Sequence, residues 1–213
     1  MQEYQRHFIE FLLKHKALKF GEFTLKSGRI SPYFFNLGTF QSGSSLAKLG
    51  EYYAASLLQS NLPYDILYGP AYKGIPLVAA TAIALSNQHE IDAPYCFNRK
   101  EAKDHGDKGL FVGAPLEGRI VMVDDVITAG TTVRETIELI QPYNADLTGI
   151  VIAFDRQERG QGKLSAVQET ASKHGVPVQS IITLTDLINY LHQHSELKSW
   201  LKPIELYRAE YGV

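Results

Sequence analysis

GRIVMVDDVITAGTTV, residues 118–133, holds a strand, a turn and the start of a helix in that order. Arg119 to Val123 is a short apolar run rich in β-branched residues, the length of one buried strand. Two carboxylates, Asp124 and Asp125, end it, and Val126-Ile127 follow. Thr128-Ala129-Gly130-Thr131-Thr132 is then a turn of small residues opening a helix expected near Val133. Such a turn gathers backbone N–H groups at the positive end of a helix dipole, where a phosphate is favoured, and Thr hydroxyls add donors. The plainer alternative is a strand-to-helix loop whose Thr residues only cap. Paired acids at the strand end favour the first reading, because they can hold sugar hydroxyls or a hydrated metal.

Outward from this stretch, strand and helix alternate from residue 64 onward. Strands are expected at Asp65–Tyr68, Tyr95–Asn98, Arg119–Val123, Gly149–Phe154 and Val178–Thr183. Helices are expected near Pro76–Asn87, Val133–Gln141, Leu164–His174 and Asp186–His194, with Pro142 helping to end the second of them. This alternation implies an α/β fold with a largely parallel, doubly wound sheet that takes ligands at the carboxyl ends of its strands. Before it, Tyr4, Phe8, Phe11 and Leu12 mark an amphipathic helix over 3–16. Phe23–Lys26 and Tyr33–Asn36 around Ser27-Gly28 form a hairpin, a small cap over the sheet. Leu46, Leu49, Tyr53 and Leu57 mark a helix capped by Ser44 or Ser45.

The chain of 213 residues suits one domain, 1–213, with 1–40 as a hood and 99–113 as a flexible catalytic loop. Its net charge of −2 gives no basic field to recruit nucleic acid or an acidic membrane. A single cysteine, Cys96, excludes an internal disulfide and a cysteine-built zinc site. Ile75–Leu85 is too short to span a bilayer, and Met1–Lys19 carries too many charges for a signal peptide. A cytoplasmic protein is expected.

Gly69-Pro70-Ala71-Tyr72-Lys73-Gly74 is a second strand-end turn, able to bring N–H groups and one ammonium to a second phosphate. It lacks the Gly-Lys-Ser/Thr of a Walker loop, and Gly160-x-Gly162 meets Ser165 where a dinucleotide fingerprint needs Gly or Ala. Arg99, Lys100, Lys103 and His105 crowd a polar stretch. It reads either as a solvated charge run or as a lid supplying cations to an anionic leaving group.

The strand, acid pair and Thr-x-Gly-x-Thr turn resemble the phosphoribosyl-pyrophosphate (PRPP) motif of type I phosphoribosyltransferases. FNRKEAKDHG (97–106), GPAYKG (69–74), KFGEFTLKSGR (19–29) with SPYFFN (31–36), and DRQERG (155–160) narrow the resemblance to the orotate phosphoribosyltransferases, nearly end to end. The resemblance implies transfer of the phosphoribosyl group of PRPP to orotate, giving orotidine 5′-monophosphate and pyrophosphate in pyrimidine synthesis. It further implies that Asp124 and Asp125 hold the ribose hydroxyls and that the PRPP site includes Val126, Ile127, Thr128, Ala129, Gly130, Thr131 and Thr132. Residues 128–132 would take the 5′-phosphate. Lys26, Tyr72, Lys73 and Lys100 would join the PRPP site, with Arg99, Lys103 and His105 reaching across a homodimer and Lys103 the main catalytic cation. Phe34, Phe35, Thr128 and Arg156 would hold orotate. Mg²⁺ would be held mainly through PRPP, since no acid cluster builds a protein cage. The rival expectations are a PRPP-sensing regulator on the same fold and transfer to another nucleobase.

Overall fold

The computed structural model describes residues 1–25, 27–103, 109–128, 130–160 and 162–213; the side chains of 102 and 103 lie outside the description. The roles expected for Lys26, Ala129, His105 and the Lys103 side chain therefore lie outside the described residues.

Helix α1 (Glu3–Lys14) leads into an antiparallel hairpin of β1 (Leu18–Thr24) and β2 (Ile30–Phe35), which form a sheet of their own. Helix α2 (Gly43–Ser60) follows. The main body then runs β3 (Ile66–Gly69), α3 (Gly74–His89), β4 (Tyr95–Lys103), β5 (Gly109–Gly113), β6 (Gly118–Asp124), α4 (Thr131–Ile140) and β7 (Ala145–Asp155). It finishes with α5 (Ala166–His174), β8 (Val178–Thr183), α6 (Leu184–Gln193) and α7 (Lys198–Tyr211). The large sheet has the order β5-β4-β3-β6-β7-β8, parallel except for the antiparallel edge strand β5.

Side-chain alternation explains why helices cover both faces. On β6, Val121 and Val123 enter one core while Ile120 and Met122 enter the other; on β7, Val151 and Ala153 oppose Ile150 and Ile152. All eight are buried. From β3 the chain crosses to β4 on one side, and β6 lies on the other, so the winding reverses between β3 and β6. The carboxyl ends of those two strands flank the crevice where such sheets bind ligands.

The expected strands and helices all form, with shifted ends. Helix α2 is capped by Ser42, whose hydroxyl accepts from the Ser45 N–H, rather than by Ser44 or Ser45. The hood hairpin begins at Leu18. Helix α1 packs on β8, α2 and α6 as well as on β1, with Phe8, Ile9 and Leu12 in the main core, so the hood proper is the β1–β2 hairpin. The stretch 99–113, expected as one loop, is strand at both described ends: β4 runs through Lys103, and Asn98 pairs with Phe111 and Lys103 with Gly109. Backbone pairing makes this hairpin, and its polar side chains give no periodic signal. Helix α7 was not expected at all; only Ile204 and Tyr207 on it are buried, and Pro203 lies inside it.

Candidate active site

Two loops face each other at the switch point. The first, between β3 and α3, turns tightly because its glycines leave no room for a Cβ. One on Gly69 would lie 2.3 Å from the Gly74 carbonyl oxygen, and one on Gly74 would lie 2.4 Å from Pro70 Cδ. This turn is pinned to β4 by Asn98, whose Oδ1 accepts from the Ala71 N–H at 2.9 Å and from the Tyr68 hydroxyl at 2.8 Å. Tyr72 is two-thirds exposed, and Lys100 Nζ stands 5.0 Å from its ring centroid. Lys100 is thus brought to Tyr72, the chain neighbour of Lys73. Arg99 donates from Nη1 to the Gly109 carbonyl at 3.0 Å, bracing the β4–β5 hairpin.

The second loop carries the acids. Asp124 and Asp125 are both buried. The Asp125 N–H donates to Asp124 Oδ1, and the Val126 N–H to Asp125 Oδ1, each at 2.8 Å. Beneath them the fully buried Tyr53 donates to the Asp124 carbonyl at 2.8 Å. Burial and the neighbouring Asp125 charge push the Asp124 carboxyl up to about 7, against the pull of the Asp125 N–H and Lys73. Lys73 Nζ reaches across the crevice to Asp125 Oδ2 at 2.6 Å. Its own exposure limits that ion pair to about 1 kcal/mol or less.

Val126 packs on one core and Ile127 on the other, so these two side chains anchor the loop. Thr128, Thr131 and Thr132 are exposed. Gly130 caps α4 with φ 66°, a left-handed conformation that favours glycine, and no side chain caps the helix. The Thr residues are therefore not spent on capping α4. The first N–H groups of an α-helix have no partner within it. In α4 no side chain among the described residues caps them, which leaves them able to take an anion.

The hood closes the third side. Phe35 packs edge-on against Phe154 at the end of β7, with ring centroids 5.3 Å apart. Phe34 points to the opposite face of β2, 38% exposed and against Phe23. Adjacent strand residues point to opposite faces, so the two rings do not form one aromatic wall. Arg156, just beyond β7, is not a surface charge: its side chain is 18% exposed and lies over Tyr33, with Cζ 4.2 Å from the ring centroid. It donates from Nε to Glu158 Oε1 at 2.8 Å and from Nη2 to Ser31 Oγ at 3.1 Å. No site role was expected for Glu158, Ser31, Tyr33, Asn98 or Tyr53; the first four stood inside quoted motifs, and Tyr53 only marked a helix face. Cys96 is buried, its thiol pushed up to about 12 by burial, and is no nucleophile. Among the described residues no three His, Cys, Asp or Glu side chains are grouped to hold a metal ion.

A doubly wound sheet with an acid pair and an uncapped helix N-terminus at its switch point has the plan of a type I phosphoribosyltransferase. Residues 38–180 match the phosphoribosyl transferase domain family. The chain is 59% identical to the orotate phosphoribosyltransferase of Photorhabdus laumondii and 58% identical to that of Vibrio cholerae, each over the whole of both chains. It superimposes on the crystal structure of the Francisella tularensis orotate phosphoribosyltransferase with a TM-score of 0.89 and 43% identity, covering 97% of this chain and 100% of that one. The chain belongs to the phosphoribosyl transferase family and, within it, to the orotate phosphoribosyltransferases.

Proposed function

We propose that this enzyme joins orotate to PRPP, forming orotidine 5′-monophosphate and pyrophosphate in pyrimidine synthesis. The observation that carries this reading is the end-to-end identity of 59% with an orotate phosphoribosyltransferase. The uncapped start of α4, with residues 128–132 leading into it, suits the 5′-phosphate, and Asp124 and Asp125 suit the ribose hydroxyls. Lys73 is then released from Asp125 to meet the pyrophosphate beside Tyr72 and Lys100, with Lys26 completing that end. Thr128, Arg156 and the hood residues Phe34 and Phe35 take the base; a guanidinium suits the carboxylate of a flat anion.

Departure of pyrophosphate puts negative charge on the leaving oxygen as the sugar becomes oxocarbenium-like, so cations must converge there. Lys103 is assigned that role, with Arg99 and His105, reaching across a homodimer into the partner's site. Mg²⁺ would supply further charge neutralisation and would be held mainly through PRPP oxygens, the mode expected for a hard cation with substrate phosphates and few protein carboxylates. A cytoplasmic setting suits a chain whose single cysteine is buried and unpaired.

The test is pyrophosphate release from PRPP and Mg²⁺ with orotate, uracil, adenine or hypoxanthine in turn. Release with orotate alone is expected. Release only with a purine would assign another base, and binding of PRPP without turnover would make the protein a sensor.

A further inference from the structure

The base-side guanidinium does not stand alone. Glu158 lies between two arginines: Oε1 is 2.6 Å from Arg156 Nη2, and Oε2 is 3.6 Å from Arg29 Nη1. The Tyr33 hydroxyl also donates to Oε1 at 3.2 Å. All three charged side chains are largely buried, at 25% exposed for Arg29, 18% for Arg156 and 14% for Glu158. Arg29 is tied down in turn. It donates to the Arg159 carbonyl at 3.1 Å and lies 4.9 Å from the Tyr211 ring centroid, joining the hood turn, the segment after β7 and α7.

Arg156 therefore has Nε and Nη2 committed, to Glu158 and Ser31, while its Nη1 makes no hydrogen bond of ordinary geometry among the described residues; the buried Tyr207 hydroxyl lies beside the same Arg156–Glu158 pair. The Tyr33 ring fixes the plane of the guanidinium from one side. Two arginines and one glutamate leave one net positive charge in this half-buried cluster, the complement of a single carboxylate. Without Glu158, Arg156 would lose its fixed edge, and two like charges would face each other across a poorly solvated gap.

We propose that Glu158, braced by Arg29 and Tyr33, is a positioning residue that holds Arg156 with its Nη1 edge presented to the carboxylate of the base substrate. This rests on the assignment of Arg156 to that substrate. Glu158 touches no reacting atom; it acts through Arg156.

Three variants test it, with kcat and KM measured for orotate and for PRPP: Glu158→Ala, Arg156→Ala and the double variant. Glu158→Ala is expected to raise the orotate KM tenfold or more, with a smaller effect on kcat and less than a twofold effect on the PRPP KM. In the Arg156→Ala background it should add less than twofold to the loss in kcat/KM for orotate, because its only route to the substrate is already gone. Glu158→Gln keeps an acceptor oxygen in place and should raise the orotate KM less. If Glu158→Ala does not give a cooperative thermal transition, Glu158→Gln decides, by a rise confined to orotate and absent from the Arg156→Ala background. Equal rises for both substrates, or losses that multiply in the double variant, would make Glu158 a structural clamp and overturn the proposal. An unchanged orotate KM in Glu158→Ala alone would also overturn it, leaving Arg156 in place. An unchanged orotate KM in Arg156→Ala would instead remove the assignment beneath it.

Discussion

Replacing Asp124 by Asn should make the protein more stable and less active, with a pH dependence that identifies the cause. Asp124 is 7% exposed and adjoins a second buried carboxylate. Its ordinary value of 3.8 is raised to about 7, burial being the largest cause and the Asp125 charge the next. A folded-state value above the unfolded one means that the folded chain holds the proton more tightly. Stability from this group is thus present at low pH and falls as pH rises from about 4 to about 7, with the full penalty remaining above. Between about pH 5 and about pH 8 the change amounts to roughly 2–3 kcal/mol, at about 1.4 kcal/mol for each unit of pKa. Asn keeps an oxygen for the Asp125 N–H and does not touch the bond from Tyr53 to the backbone carbonyl. It removes only the charge. Urea unfolding of both proteins at the two pH values and at one fixed protein concentration measures the difference. The advantage of Asp124→Asn should grow by that amount toward high pH, while pyrophosphate release falls by roughly 10²-fold, the scale for losing one well-placed polar group at a reacting centre. A stability difference that stays constant with pH would refute the reasoning, because the buried charge would then not be what the folded state holds at a cost.

Asn98→Ala strands the Ala71 N–H and the buried Tyr68 hydroxyl, and should cost about 2 kcal/mol in urea unfolding. Asn98→Asp, which keeps the accepting oxygen, should cost less. Tyr207→Phe should change stability by no more than about 1 kcal/mol, because the buried Tyr207 hydroxyl lies beside Arg156 and Glu158 but makes no hydrogen bond of good geometry among the described residues; a loss above about 1 kcal/mol on thermal unfolding would contradict this. In the proposed homodimer with shared sites, Lys103→Ala and the pair Asp124→Asn with Asp125→Asn should each be nearly inactive. Mixed by subunit exchange, they should recover roughly a quarter of wild-type activity, since about half the dimers then hold one intact site under closed two-fold assembly. No recovery despite demonstrated exchange would place Lys103 in its own subunit's site.

Local patterns made the centre of the molecule legible. The run Ile120–Val123, ended by two acids and a small-residue turn, specifies strand, loop and helix start without any distant partner, and β6, the acid loop and α4 form there. The turn at 69–74 was legible for the same reason, its glycines marking a backbone approach that the structure shows to be sterically required. The edge strand β5 was not, because its burial is only partial and its order comes from a backbone ladder to β4. Helix α7 escaped because its first turn follows directly on a short 3-10 turn and only two of its residues are buried. Ser31 and Tyr33 could not be joined to Arg156 and Glu158 from sequence, since each pair is separated by 125 positions.

The two halves of the site solve the problem of buried polar groups in opposite ways. On the side proposed for the base, the three charged groups are joined: Arg156 with Glu158, Glu158 with Arg29, and Arg29 with a carbonyl and an aromatic face. Such a fully connected network is rigid, and rigidity suits a small planar ligand that must be told apart from other bases by one carboxylate. On the side proposed for PRPP the groups are left short among the described residues. Adjacent acids share one lysine, and α4 begins with no side-chain cap. A ligand with a phosphate, two hydroxyls and a pyrophosphate carries the acceptors and donors that these groups lack. The fold thus places its unmet hydrogen-bonding capacity at the carboxyl ends of β3 and β6, where, under the proposed assignment, the more highly charged substrate would have most to satisfy it.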